Sequence, residues 1–199
     1  MKIIIVGASG TIGKKVTKAL SVEGNEIVTA GSKSGDVQVD ITSTESIEAF
    51  YKKIGPFDAL VSVTGSAHFG PLATMTAKDF DTGLQSKLLG QVNLVLIGQH
   101  YINPKGSFTL TSGILSDDPI VLGANLSTVN GGINAFAKAA AIELENGVRI
   151  NAISAGVVED APHYFPYFPG HIPVAMGTVA NAYYKSVFGA LTGQVITVW

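Results

Sequence analysis

The densest chemical signal lies near the amino terminus. Gly7, Ala8, Ser9, Gly10, Thr11, Ile12 and Gly13 form a glycine-rich run between a stretch of β-branched residues and a segment with helical periodicity. Glycines at this spacing permit a tight turn and let an anionic oxygen approach backbone N–H groups. The helix that follows adds its free N–H groups and the positive end of its dipole. The chemistry implied is binding of a dinucleotide pyrophosphate by Gly7, Ser9, Gly10, Thr11, Ile12 and Gly13. Further on, Ser32, Lys33 and Ser34 follow a second β-rich run. An acid at that place would bond the ribose hydroxyls and repel a 2′-phosphate. A cation between two hydroxyls fits a phosphate instead. The expected cofactor is therefore NADP, with NAD as the alternative because Asp36 is close by.

Other reactive side chains are scattered. His163, Tyr164, Tyr167 and His171 fall in the proline-aromatic segment 161–173. That segment reads as an aromatic lid or a subunit contact, and Tyr164 or His163 could swing in as an acid. His68 follows the fourth apolar strand segment and could border a bound cofactor. Tyr183 and Tyr184 read as helix packing residues. No Ser-His-Asp set is legible, and no carboxylate joins the histidines at ligand spacing, so no metal site is expected. The absence of cysteine excludes a thiol nucleophile, a disulfide framework and an iron–sulfur centre.

These residues must be held by a suitable frame. A chain of 199 residues reads as one domain over 1–199. A net charge of -2 argues against nucleic acid as a partner. Only 14% of residues are charged, which points to surface hidden against other subunits. The longest stretch free of charged side chains, 161–184, holds Pro162, Pro166, Pro169 and Pro173, so it cannot be a membrane helix. The apolar start breaks at Gly7, too early for a signal peptide, and a cytoplasmic protein is expected. Strands are expected at 3–6, 26–30, within 36–41, and at 59–63, 107–111, 149–154 and 195–198. Helices are expected at 14–23, 43–54, 78–102, 125–145 and 174–188. This alternation means βαβ units, hence a single-domain α/β fold of the Rossmann type, a doubly wound parallel sheet of about seven strands with helices on both faces.

The chain resembles the short-chain dehydrogenase/reductase family at five places in the right order. Gly7 to Gly13 is similar to the family's glycine motif. Val39-Asp40-Ile41-Thr42 resembles its Asp-hydrophobic-Thr element, and Val63-Thr64-Gly65 stands where an Asn-Ala-Gly run ends the fourth strand. The run from Arg149 to Gly156 resembles Arg-Val-Asn-x-Ile-x-Pro-Gly, with Ala155 in place of proline, and Thr192-Gly193-Gln194 matches an element before the last strand. The resemblance implies an oxidoreductase acting on a small carbonyl or alcohol. It adds Asp40, Ile41, Thr64, Gly65 and Gly156 to the cofactor site, and it implies a homodimer or homotetramer packed through the two long helices.

The resemblance also implies a catalytic Tyr with a Lys four residues later, a Ser on the preceding strand and an Asn on another helix. In register these positions hold Leu126, Asn130, Ser112 and Lys87. The phenol is gone, and the Lys and Asn have exchanged places. The expected catalytic set is Ser112, Lys87 and Asn130, with Lys87 entering the pocket from the neighbouring helix. The alternative is a catalytically inactive NADP-binding sensor or scaffold. The short run between Gly156 and Val174 implies a small, open or absent substrate site.

Overall fold

The computed structural model describes residues 1–199. Seven strands form one sheet: β1 (Lys2–Val6), β2 (Glu26–Gly31), β3 (Val37–Gln38), β4 (Phe57–Ser62), β5 (Ile102–Thr111), β6 (Arg149–Ala155) and β7 (Val195–Val198). Their order is β3-β2-β1-β4-β5-β6-β7, and every pairing is parallel. The helices are α1 (Thr11–Leu20), α2 (Thr44–Ile54), α3 (Ala77–Gly83), α4 (Gly90–Gly98), α5 (Ala124–Glu143) and α6 (Met176–Phe188). A π-helical stretch, Leu84–Leu89, joins α3 to α4.

The first strand shows why the sheet is covered twice. Side chains alternate across a strand, so an unbroken β-branched run requires apolar cover on both faces. Ile4 and Val6 enter one core with Phe50 and Tyr51 of α2, Leu94 of α4 and Ile133 of α5. Ile3 and Ile5 enter the other with Val16 and Leu20 of α1 and Val179, Tyr183 and Val187 of α6. Helix starts are set locally. Ser43 caps α2 by accepting the Ser46 N–H at 3.1 Å, and Thr76 and Asp79 form a reciprocal capping box on α3.

Several elements differ from the sequence expectation. The single helix expected over 78–102 is interrupted by the π stretch and stops at Gly98. Strand β5 starts early because Ile102 pairs with Phe57 across an irregular register. The glycine run supplies the first turn of α1, which starts at Thr11 rather than 14. Strand β3 keeps only two residues, since Asp40 folds back to accept the Thr42 N–H at 2.9 Å. Tyr183 is buried as expected for packing, whereas Tyr184 lies exposed beside Phe188.

Two of the recognised runs are structural staples. Arg149 donates from both terminal nitrogens to Ser186 O and Val187 O, each at 2.8 Å, closing the end of α6. Asn151 Oδ1 accepts the Gln194 N–H at 3.0 Å, and Thr192 Oγ1 accepts the Ile150 N–H at 3.2 Å. These bonds set the register of β7 on β6.

Candidate cofactor and active site

The sheet order reverses between β1 and β4, and a crevice opens there beyond the carboxyl ends of the strands. Gly7 sits at φ +89°, and a Cβ there would lie 2.3 Å from Val63 O; one at Gly13 would lie 2.1 Å from Gly7 O. Neither position tolerates a side chain, and the turn stays narrow enough for a diphosphate to approach the backbone. The Lys14 N–H donates to Gly10 O at 3.0 Å, so the N–H groups of Thr11, Ile12 and Gly13 precede the first bond of α1. No acidic side chain stands in that first turn. The loop fits a dinucleotide pyrophosphate.

A recess of about 300 Å³ lies beside this loop, lined by Ala8, Ser9, Lys14, Thr17, Thr29, Ala30, Ser34 and Gly35. Ser34 Oγ donates to Ser9 Oγ at 3.1 Å, joining the glycine loop to the turn after β2. Thr17 Oγ1 is buried without a partner. Asp36, the acid that favours NAD, is engaged within the fold: its carboxylate accepts the Thr29 Oγ1–H at 2.7 Å and the Thr29 N–H at 2.9 Å. Those bonds hold its pKa below the usual carboxylate value, chiefly through the Thr29 hydroxyl. Ser32 and Lys33 are exposed and do not line the recess; the cation that does is Lys14, missed from sequence. Its signal was there, as the residue immediately after the last glycine of the run.

Asp40 is exposed and spends one oxygen on Thr42. Ile41 is buried, and Gly90 of α4 packs against it. Thr64 borders Gly7. Gly156 donates its N–H to Val198 O at 2.9 Å and lies against Trp199 and Val174, away from the glycine loop.

The catalytic candidates gather at the end of β5. Gly65, at φ +113°, lies so close to Lys87 that a Cβ there would be 2.6 Å from the Lys87 Cα. The π stretch therefore presses Lys87 against the loop after β4. A π turn inserts an extra residue and is a common device at functional sites. Lys87 Nζ forms no hydrogen bond or ion pair within the protein, and burial lowers its pKa to about 8. Ser112 is buried, and its hydroxyl donates to Ile153 O at 3.3 Å, a long bond that leaves it free to turn. Asn130 is 3% exposed. Its Nδ2 lies 3.0 Å from where a Cβ on Gly113 would stand, and its Oδ1 is buried without a partner. Leu126, expected from the resemblance at the tyrosine place, lies on α5 and is partly buried.

Neighbouring loops wall this site. Asn125 Oδ1 accepts the His68 N–H at 2.8 Å while its Nδ2 donates to Phe80 O at 2.8 Å. His68 Nδ1 lies 3.9 Å from Asp79 Oδ1 at the rim. The segment 161–173 is an excursion closed at its neck by a bridge between Val158 and Val174. Its Tyr164 and Tyr167 meet the Phe69 ring edge-on at 6.5 and 5.0 Å, and His171 Nε2 lies 3.3 Å from Asp118 Oδ2. The excursion thus joins the loops that follow β4 and β5. The rings of His163 and Tyr164 lie tilted at 44° with centroids 4.2 Å apart.

Comparison with known proteins agrees with this geometry. A family model described as enoyl-(acyl carrier protein) reductase matches residues 12–165. The chain belongs to the short-chain dehydrogenase/reductase family. The structure of protein lin1944 from Listeria innocua is 50% identical over the whole of both chains, with a TM-score of 0.98. A small-chain dehydrogenase solved in complex with NADPH is 27% identical, covers 100% of this chain and 96% of that one, and has a TM-score of 0.89. Among curated relatives, carbonyl reductase [NADPH] 2 of Sus scrofa is 25% identical over 79% of this chain and 72% of its own length.

Proposed function

We propose that the protein is an NADP(H)-dependent oxidoreductase that interconverts a small carbonyl and its alcohol, with Lys87 in the role that a phenol plays elsewhere in the family. The observation that carries this reading is the placement of Lys87: its backbone lies against Gly65 after β4 and is linked through Gln91 to the end of β5, it is part-buried with no partner for its ammonium, and desolvation brings its pKa to about 8. Lys14, Ser9 and Ser34 would hold a phosphomonoester in the recess, and the N–H groups of Thr11, Ile12 and Gly13 would hold the pyrophosphate. A reduced nicotinamide bound in the crevice supplies hydride.

The chain's own contribution is the proton. Near neutral pH Lys87 is mostly protonated, yet it gives up its proton more readily than an ordinary lysine. The Ser112 hydroxyl turns from its long bond with Ile153 O to donate to the substrate oxygen. Asn130 supplies an amide beside it without adding charge. The aromatic excursion limits access and water, which fits a small substrate. Exposed Leu89, Leu96 and Ile142 on the π stretch, α4 and α5 support a homodimer or homotetramer through this face.

The test is NADPH consumption with a panel of small aldehydes and diketones, comparing the parent with Lys87→Met. Turnover that falls about a hundredfold in the variant, with NADPH still bound, supports the reading. NADPH binding without turnover on any carbonyl would make the chain a cofactor-binding protein that does no redox chemistry.

A further inference from the structure

Helix α4 carries a polar residue that the catalytic scheme leaves unused. Gln91 is fully buried, in a helix whose other inward residues, Leu94 and Val95, are apolar. Its carboxamide makes three bonds. Nε2 donates to Lys87 O at 3.0 Å and to Thr111 O at 2.9 Å, and Oε1 accepts the Thr111 N–H at 2.9 Å. Both amide protons and one oxygen lone pair are therefore engaged.

Each bond answers a need of the backbone. The Ser112 N–H donates to Ile153 O on β6, so by strand alternation the N–H and C=O of Thr111 point the other way, toward β4. But β4 ends at Ser62, and its chain departs to open the crevice. Gln91 fills the slot that a longer β4 would occupy and pairs with Thr111 as a strand residue would. The same nitrogen reaches the carbonyl of Lys87 inside the π stretch, where the regular ladder of the helix is broken.

We propose that Gln91 is a positioning residue: it fastens the carbonyl of Lys87 to the end of β5 and so fixes the angle at which the lysine side chain enters the site beside Ser112. The inference rests on the reading of Lys87 given above. The extra residue of the π turn sets the rotation of Lys87 about the helix axis. Were it to relax to α geometry, neighbouring positions would rotate by about 100° per residue and Lys87 would leave its enclosure. A sheet end and a helix bulge are tied by one side chain, so the two groups they carry keep their spacing.

The experiment is a titration of Lys87 by NMR on its Cε and Nζ in the parent, in Gln91→Met and in Tyr51→Phe. Tyr51 donates its hydroxyl to Leu94 O of the same helix at 2.6 Å, far from the site, so its variant loses a buried bond without touching Lys87. The expected result is a midpoint of about 8 in the parent and in Tyr51→Phe, rising to ~9 or above in Gln91→Met. A Gln91→Met protein that is less stable but keeps the parent midpoint overturns the proposal, because the residue then serves folding alone. Should Gln91→Met not fold, the parent still decides: the Gln91 carboxamide signals are expected to shift with the Lys87 midpoint, and carboxamide signals indifferent to pH through that range overturn it. Failure of the underlying reading is separate, since it shows as undiminished carbonyl turnover in Lys87→Met.

Discussion

At the scale of residues, two lysines divide the work. Lys14 lines the recess beside the glycine loop with Ser9 and Ser34, and Lys33 does not. A charge-assisted bond to a phosphate contributes roughly 1.5–3 kcal/mol. Lys14→Gln should therefore weaken NADPH binding ten- to a hundredfold, on the order of that energy, while leaving NADH binding unchanged. Lys33→Gln should alter neither. Fluorescence titration with both nucleotides checks this, and equal losses from the two variants would return the phosphate to the exposed turn. Lys87 carries a cost instead. Its folded pKa of about 8 lies below the ordinary 10.5, so between these values the unfolded chain binds more protons and stability rises with pH. At pH 7 nearly the full penalty, on the order of 3 kcal/mol, is present. Lys87→Met should raise Tm at pH 7, and the gain should fade as pH climbs through that window toward 10.5.

At the scale of elements, the site depends on close approach between a loop and a helix. Gly65 permits the contact with Lys87 because it has no Cβ and adopts φ +113°. Gly65→Ala should cost about 2 kcal/mol or more from backbone strain and collision together. It should also lower carbonyl turnover while sparing the glycine loop, so nucleotide binding should persist. Denaturant unfolding with a parallel nucleotide titration separates the two effects. The π stretch belongs to the same logic. Sequence periodicity over 78–102 reads as one apolar helix, and nothing in residue type marks the inserted turn between Leu84 and Leu89. The bonds of Gln91 to Lys87 O and to Thr111 join this stretch to β5, a link between residues distant in sequence.

At the scale of the whole molecule, the sheet and its two cores were legible because their signals are local. The β-branched run at Ile3 to Val6 and the glycine run after it demand a double-covered parallel sheet and a βα turn. The recognised motifs proved of two kinds. Gly7 and Gly13 build the site, whereas Arg149, Asn151, Thr192 and Gln194 hold α6 and β7 in place. The register that puts Lys87, Ser112 and Asn130 at family positions comes from resemblance; the structure shows the Asn130 amide close to Gly113 and the Lys87 carbonyl linked through Gln91 to Thr111 at the end of β5. Lys14 was overlooked because a lysine near the surface of a helix looks solvated until the recess beside it is seen. The ring contacts of Phe69 with Tyr164 and Tyr167 join segments far apart in the chain, and no spacing rule foretells them. No helix is long and apolar enough to cross a membrane.

The most direct measurement is the pH dependence of kcat/KM for carbonyl reduction by NADPH, in the parent and in Lys87→Met. If Lys87 delivers the proton, the parent rate is level below its pKa and falls as pH rises through about 8, tenfold for each further pH unit. The variant should retain about a hundredth of that rate or less, with no inflection in that range. A variant that keeps the parent rate, or the parent inflection, would contradict Lys87 as the acid.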